Sequence, residues 1–138
     1  MDLHPDYPIV FRDYRLTDEW TATLPFEMNK RLEDGCLVLW RPGFTVWVIV
    51  WGNDNNQSTV ERLEEIKGRA DEASTDVFVE LTSDPARLSY RLNEEHERGW
   101  VNALYGFAFK PESHVQLAVY LDQEEDIEAA YSLHRSLR

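Results

Sequence analysis

The chain has 138 residues, of which 43% are hydrophobic and five are Trp. A chain of this size and composition is expected to fold as one domain with its own core rather than to stay disordered. Its formal net charge of −12 argues against binding to nucleic acid or to an anionic membrane surface, because affinity for phosphate groups comes mainly from Lys and Arg. The charge fits a basic protein partner, and more simply it fits solubility.

Cys36 is the only cysteine, so an internal disulfide and a zinc site built on several cysteines are both excluded. It lies in an apolar run, which favours a buried structural thiol over a nucleophile. Residues 1–8 lack the basic and apolar regions of a signal peptide and are expected to form an extended arm. No run approaches the ~18 apolar residues of a membrane helix. We therefore expect a cytoplasmic protein that does not enter a membrane.

Residues 37–51 form the stretch around which the rest of the chain is organised, and they read as two strands joined by a turn. Pro42 and Gly43 suit the central positions of a type II turn, since Pro fixes its own φ and Gly accepts a positive φ. In residues 44–51 apolar side chains fall on both faces of the strand. Both faces of the sheet must therefore be covered, by helices or by another subunit.

Signals on either side of this stretch predict a meander followed by a helix. Asp34-Gly35 is a hairpin signal, and it predicts that residues 28–32 pair with residues 36–41. Ser58 and Glu61 have the spacing of a capping box, which predicts that a helix begins there. The apolar stripe of this helix is Val60, Leu63 and Ile66.

The second half of the chain predicts a second meander. Alternating apolar residues predict four strands, which lie in residues 76–82, 87–92, 100–109 and 115–121. Residues 93–99 are expected to be a charged connection between two of them. In one strand the positions that alternate with apolar residues are polar, which predicts a solvated face formed by Arg87, Ser89 and Arg91.

A second helix is predicted to end the chain. Asp122 and Glu125 have capping-box spacing, so the helix is expected to begin at Asp122. Acidic residues near its start and basic residues near its end complement the helix dipole, and His134 is expected to act as one of these dipole partners. The predicted inner stripe consists of Ile127, Ala130, Tyr131, His134 and Leu137.

The predicted order is βββ-α-ββββ-α, an α+β domain over residues 1–138 with a mostly antiparallel sheet of two meanders and two helices. With Trp20 and the C-terminal features Ala129-Ala130 and Ser136-Leu137, this order resembles the Mog1/PsbP-like sandwich. The stretches RLEDGCLVLWRPG, WGNDNN and NALYGFAF are similar to an uncharacterised bacterial domain family. Members of the Mog1/PsbP-like group are mostly binding proteins: a small-GTPase binder, photosystem subunits, and bacterial chaperone-adaptors that hold secreted toxins. The resemblance implies binding rather than catalysis, and it transfers no catalytic residue.

Candidate metal and catalytic groups are few in the sequence. The histidines His4, His96, His114 and His134 show no paired metal-ligand spacing. Residues 94–97 combine Glu and His, but a solvated connection explains them more simply than a metal site does. Residues 53–56 offer oxygen ligands without the acidic spacing of an EF-hand, so a turn is the simpler interpretation. We predict no catalytic residue, no metal ligand and no cofactor.

Aromatic side chains give the stronger functional signal. Core packing explains most of them, yet a sheet face left partly open would make a hydrophobic groove or a homodimer interface. The residues of this possible binding surface are Trp40, Trp47, Trp51, Trp100, Tyr105 and Tyr120.

The leading hypothesis is a non-catalytic cytoplasmic protein-binding domain that has a protein partner. An adaptor or chaperone would hold a hydrophobic segment on the apolar sheet. An immunity-type partner would block a basic toxin with acidic residues such as those in 122–128. The alternative hypothesis is a small-ligand-binding domain, or an enzyme, with a pocket between the sheet and the helices.

Overall fold

The computed structural model describes residues 3–138, so the first two residues of the predicted arm lie outside the described part. The chain forms an eight-stranded antiparallel sheet, a separate two-stranded sheet and two α-helices. This confirms the predicted α+β class with a mostly antiparallel sheet. Neither helix in the described range is long and apolar enough to cross a bilayer.

Six strands precede the first helix, whereas the predicted order βββ-α-ββββ-α has three. The first group is β1 (Ile9–Val10), β2 (Asp13–Arg15), β3 (Thr21–Thr23), β4 (Met28–Glu33), β5 (Cys36–Arg41) and β6 (Phe44–Gly52). Helix α1 (Thr59–Arg69) follows. The second group is β7 (Thr75–Glu80), β8 (Ala86–His96), β9 (Gly99–Phe109), β10 (Ser113–Leu121) and helix α2 (Ile127–Arg135).

The large sheet has the strand order β1-β4-β5-β6-β10-β9-β8-β7, and every neighbouring pair is antiparallel. The two meanders join at the centre, where β6 pairs with β10 along its whole length. The predicted turns connect β4 to β5 and β5 to β6. Asp34, Gly35 and Gly43 have φ values of 52°, 80° and 81°, as hairpins with these turn residues require.

One face of the sheet carries the main core, and we call it the α2 face. Val46 of β6, Leu117 of β10 and Leu104 of β9 lie on it, packed with Leu133 of α2 and with Trp20. All five side chains are almost fully buried. The inner stripe predicted for the second helix is confirmed in part, because Ala130, His134 and Leu137 are buried while Ile127 and Tyr131 are half-buried.

The opposite face, which we call the α1 face, is covered by α1 over β8 and β9. Leu63 and Ile66 of the helix pack with Leu88 and Phe107 of the sheet. The capping box is confirmed, since the Ser58 side chain accepts from the Glu61 N–H and Glu61 accepts from the Ser58 N–H. The prediction for Val60 is wrong: it is 51% exposed, because it lies one residue outside the stripe that faces the sheet.

The solvated face predicted for residues 87–92 is wrong. Ser89 is buried, and the side chains of Arg87 and Arg91 are only 12% and 16% exposed. The C-terminal segment covers them, because Arg87 donates to the carbonyls of Arg135 and Leu137 while Arg91 pairs with Glu124. Periodicity identified the face but not the distant segment that packs on it.

Two predicted boundaries are also corrected. The charged connection at 93–99 is mostly strand, since β8 continues to His96 and pairs with β9 as far as Gly99. The second helix does not begin at Asp122; a 3-10 turn at Glu124–Asp126 precedes α2, and the α2 start has no side-chain cap.

Candidate functional site

A pocket of about 340 Å³ opens on the α1 face between α1, residues 52–57 and strands β8–β10. We call it the α1 pocket. Its volume lies at the small end of the ~300–1,000 Å³ range typical of small-molecule sites. Ile66 of α1 lies on one side, Tyr90, Tyr105 and Phe107 on the sheet side, and Trp51 at the edge.

A row of aromatic rings crosses the α1 face from β8 to β6. Adjacent rings are nearly parallel, with interplanar angles of 20–30° and centroid distances of 5.3–6.4 Å. The antiparallel pairing places these residues side by side across four strands, so the stacking follows from the register of the sheet. In spatial order the row is Tyr105, Tyr90, Phe107, Phe109, His114 and Trp51.

Arg62 brings a positive charge into this apolar setting. The residue is 4% exposed and lines the pocket from the first half of α1. Its Nη2 donates to the Lys110 carbonyl, and its guanidinium lies 5.7 Å from the Phe109 ring centroid. Nε and Nη1 are buried and have no hydrogen-bond partner in the described structure. Burial lowers the pKa of Arg62, and the charge of Glu112 partly offsets this.

His114 is the second polar group inside the row of rings. Its imidazole lies between Phe109 and Trp51, and its buried Nδ1 lacks a partner among the residues described. Burial, and after it the charge of Arg62, lowers the pKa of His114 to about 4. The side chain is therefore neutral at pH 7, when it can offer one donor and one acceptor.

The rim of the pocket is tied together by side-chain hydrogen bonds. Asn53 Nδ2 donates to the carbonyls of Gln57 (2.8 Å) and Pro111 (2.9 Å), and its Oδ1 accepts from the Gln57 N–H at 3.0 Å. On α1, Glu65 pairs with Arg69 and accepts from the Gln57 amide. These contacts fix the 52–57 loop against the helix, so the walls of the pocket are preformed.

Beside the pocket, Tyr105 belongs to a polar network at the outer part of β8 and β9. Its hydroxyl donates to Glu94 and lies 3.3 Å from the Tyr120 hydroxyl, and Glu94 also contacts His96 Nε2 at 3.1 Å. Burial, followed by the bond to Glu94, raises the pKa of Tyr105. The phenol stays protonated and remains a donor, so this network positions Tyr105 at the edge of the pocket.

The residues of the predicted aromatic surface are divided by the structure. Trp51 and Tyr105 line the α1 pocket. Trp40, Trp47 and Tyr120 share the same face of the sheet outside the pocket, as the pairing of β5, β6 and β10 requires. Trp100 lies on the opposite side of the alternation in β9 and is 67% exposed near the hairpin end, so it does not join the other five.

Sequence reasoning missed the polar centre of the pocket. Arg62 lies one turn before Ile66, and a cation on the inner side of an amphipathic helix was an available signal. His114 and Gln116 alternate with the core residues of β10, so the face opposite to Val115 and Leu117 could have pointed to them. The sequence does not predict that α1 packs against this face of the sheet.

The other candidate groups are placed as follows. Cys36 is free and half-buried, less buried than expected. His134 is not a charged dipole partner: it is 2% exposed, and burial lowers its pKa to about 4. Across residues 3–138 no group of three or more His, Cys, Asp or Glu side chains could hold a metal ion.

Comparison of the chain with protein-family models, curated proteins and solved structures finds no match. The α1 pocket and the surface beside it are therefore the features of the molecule that point to a function.

Proposed function

We propose that this chain is a small-ligand-binding domain whose site is the α1 pocket. The observation that carries the proposal is Arg62, a nearly fully buried charge that lines the cavity with two guanidinium nitrogens unpaired within the described range. An unpaired charge in a desolvated site is costly, and a bound group that accepts its hydrogen bonds removes that cost. Arg62 is therefore the group expected to recognise the ligand.

The rest of the pocket supports the same proposal. Small-molecule sites are concave and mostly apolar, with a few polar groups that orient the ligand. Here the aromatic wall supplies the apolar surface, while Arg62, His114 and Gln116 supply the polar groups. The Asn53 hydrogen bonds hold the loop in place before any ligand arrives, which reduces the entropic cost of binding.

The test is a thermal-shift screen against small metabolites, repeated on a variant whose pocket is filled. A ligand at a hundred times its Kd stabilises a protein by ~2.7 kcal/mol, which raises Tm by several degrees. We expect Ile66→Trp, which puts an indole into the cavity, to lose the shift. Val60→Trp, at an exposed position of the same helix, should keep it. The proposal fails if no compound shifts Tm, or if every shift survives Ile66→Trp.

A second candidate function is the cytoplasmic protein-binding domain suggested by the composition, in an adaptor, chaperone or immunity-type role. The observation that favours it is the half-buried pair Trp47 and Ile49, which lie on the α1 face outside the cluster that packs under the helix. The Mog1/PsbP-like order of elements, itself a proposal, points to the same class. A second copy of the chain could also occupy this surface and form a homodimer.

A pull-down from the source cells separates these roles. Trp47→Ala should weaken an adaptor that uses the sheet, and it should leave an immunity-type contact intact. Glu125→Lys with Glu128→Lys should do the reverse; both residues are exposed, whereas Glu124 is engaged with Arg91. If neither change affects a captured partner, both surfaces are excluded. Sedimentation of the purified chain tests the homodimer directly.

A further inference from the structure

We infer that the ligand of the α1 pocket is a planar aromatic molecule carrying a single carboxylate. This inference rests on the proposed function and names the chemical class that the same site would take. Three features of the pocket lead to it: the number of its charges, the geometry of the free guanidinium, and the arrangement of its rings.

The charges that line the pocket fit a monoanion. On the rim, Arg69 is already paired with Glu65, and Asp54 adds a further negative charge. The other cation of the lining is Arg62, which has two guanidinium nitrogens without a partner in the described structure. Because His114 is neutral at pH 7, it adds no second cation. A dianion such as a phosphate monoester would be matched by one cation only and would face the acidic rim, so a single negative charge fits better.

The free part of the Arg62 guanidinium fits a carboxylate. Nε and Nη1 are unpaired in the described structure, and Nη2 uses one of its two hydrogens for the Lys110 carbonyl. The remaining hydrogens leave one edge of the planar fork without a protein partner in the described structure, and such an edge can make two parallel N–H···O bonds. Bidentate pairing of this kind with a carboxylate is the contact for which arginine is best shaped.

The walls of the pocket favour a flat aromatic ring. Tyr90, Tyr105 and Phe107 present nearly parallel rings on the sheet side, and Trp51 continues the row at the other edge with 49% of its surface exposed. Aromatic rings gain from offset-stacked and edge-to-face contact with such walls beyond simple burial. A saturated ring of equal size would bury similar area without that gain.

The experiment is calorimetric titration of the full chain with four matched probes: 2-naphthoate, 2-naphthamide, decalin-2-carboxylate and 2-naphthyl phosphate. We expect 2-naphthoate to bind at least about tenfold more tightly than the neutral amide, since a hydrogen bond to a charged group contributes ~1.5–3 kcal/mol. The saturated acid and the phosphate are both expected to bind more weakly than 2-naphthoate.

Variants connect this preference to the proposed residues. Arg62→Met should remove the preference for 2-naphthoate over 2-naphthamide, so that the two bind within about twofold of each other. Arg98→Met makes the same charge change at an exposed position of the β8–β9 turn and should keep the preference. Trp51→Ala should weaken the binding of 2-naphthoate and of 2-naphthamide to the same extent. Should Arg62→Met fail to fold, the comparison of the four probes on the unmodified protein still decides the outcome.

Three outcomes of the comparison between probes would overturn the inference. Equal binding of acid and amide would remove the role of charge, equal binding of decalin-2-carboxylate would remove the role of stacking, and tighter binding of the phosphate would contradict the monoanion. If none of the probes binds while other compounds stabilise the protein through the pocket, the chemical class is wrong and the proposed function stands. If no compound of any class stabilises it, both are wrong.

Discussion

Gly106 of β9 lies directly beneath the imidazole of His134 in α2. A Cβ built on Gly106 would lie 2.7 Å from His134 Cδ2 and 2.8 Å from Cγ, distances at which no real side chain fits. The same ring approaches the neighbouring Phe107 carbonyl with its Nε2 at 2.9 Å. Because Gly106 has no side chain, α2 can pack closely on the sheet, and the His134 imidazole reaches the Phe107 carbonyl.

Gly106→Ala is expected to destabilise the protein by about 1–3 kcal/mol, because the added methyl group must push the helix or the imidazole away. Tm by calorimetry is the measurement. The matched control is Gly68→Ala in α1, where an added Cβ meets no heavy atom within 4 Å. It should be neutral or stabilise by up to ~1 kcal/mol, since Ala is the better helix former. Equal loss in both variants would contradict the close contact.

The buried His134 should make stability depend on pH in a defined window. Its pKa is lowered from 6.5 to about 4, first by burial and also by the charges of Arg87 and Arg135. The unfolded chain therefore binds more protons between these values, so the stabilising contribution is present above pH 6.5 and is lost as pH falls towards 4. The loss from this group is at most about 3 kcal/mol.

Chemical denaturation at pH 7, 6 and 5 measures this dependence. Carboxylates with lowered pKa, such as Glu124, are protonated in the unfolded chain mainly below about pH 5, so the histidines dominate the upper part of the window. His134→Gln should reduce the slope by the share of His134 and leave the share of His114, whose pKa burial also lowers to about 4. An unchanged slope in His134→Gln would mean that His134 does not contribute to the pH dependence.

The sequence predicted the local parts of the fold because the residues that determine them are neighbours in the chain. Asp34-Gly35 and Pro42-Gly43 suffice to form their turns, and Ser58 with Glu61 suffices to begin α1. The signals that failed concern contacts between distant segments. Arg87 looked solvated because its partners, the carbonyls of Arg135 and Leu137, lie about 50 residues away.

The candidate site divides in the same way. Alternation within β6 and within β9 predicted which neighbours share a side of the strand with Trp51 and with Tyr105, since a strand fixes the side of each residue. Arg62 and His114 were missed because they line a common pocket only when α1 packs against the α1 face of the sheet. For the same reason His134 was expected to be a dipole partner although it was placed on the inner stripe: its neighbour Gly106 is distant in sequence, and a glycine in a strand does not reveal what approaches it.

The capping box of α1 is expected to contribute measurably to stability. The Ser58 hydroxyl accepts from the Glu61 N–H at 3.1 Å, so Ser58→Ala leaves a helix N–H unpaired and should cost about 0.5–2 kcal/mol. Ser132→Ala, at an exposed position inside α2, should cost nothing because Ala favours the helix interior. Because Arg62 follows in the next turn of the helix, Ser58→Ala should also weaken the binding of any ligand in the α1 pocket. A loss of stability equal to that of Ser132→Ala would contradict a role for the cap.

The buried indole of Trp20 is held by a hydrogen bond that the core cannot replace. Its Nε1 donates to Ser113 Oγ at 3.0 Å, and Ser113 donates in turn to Glu19 at 3.0 Å. Trp20 is fully buried and Ser113 is 4% exposed. Removing the hydroxyl therefore leaves an N–H in the core without water or a partner, and Ser113→Ala should destabilise the protein by about 1–3 kcal/mol.

A double-mutant cycle separates this bond from the packing of the indole. Trp20→Phe removes the N–H and creates a cavity, so its own cost of several kcal/mol is uninformative. In the Trp20→Phe background, however, Ser113→Ala no longer strands a donor. Its cost should fall by at least about 1 kcal/mol relative to the cost in the original chain. Urea denaturation of the four proteins gives the coupling energy, and a value near zero would show that the hydroxyl stabilises the core through Glu19 alone.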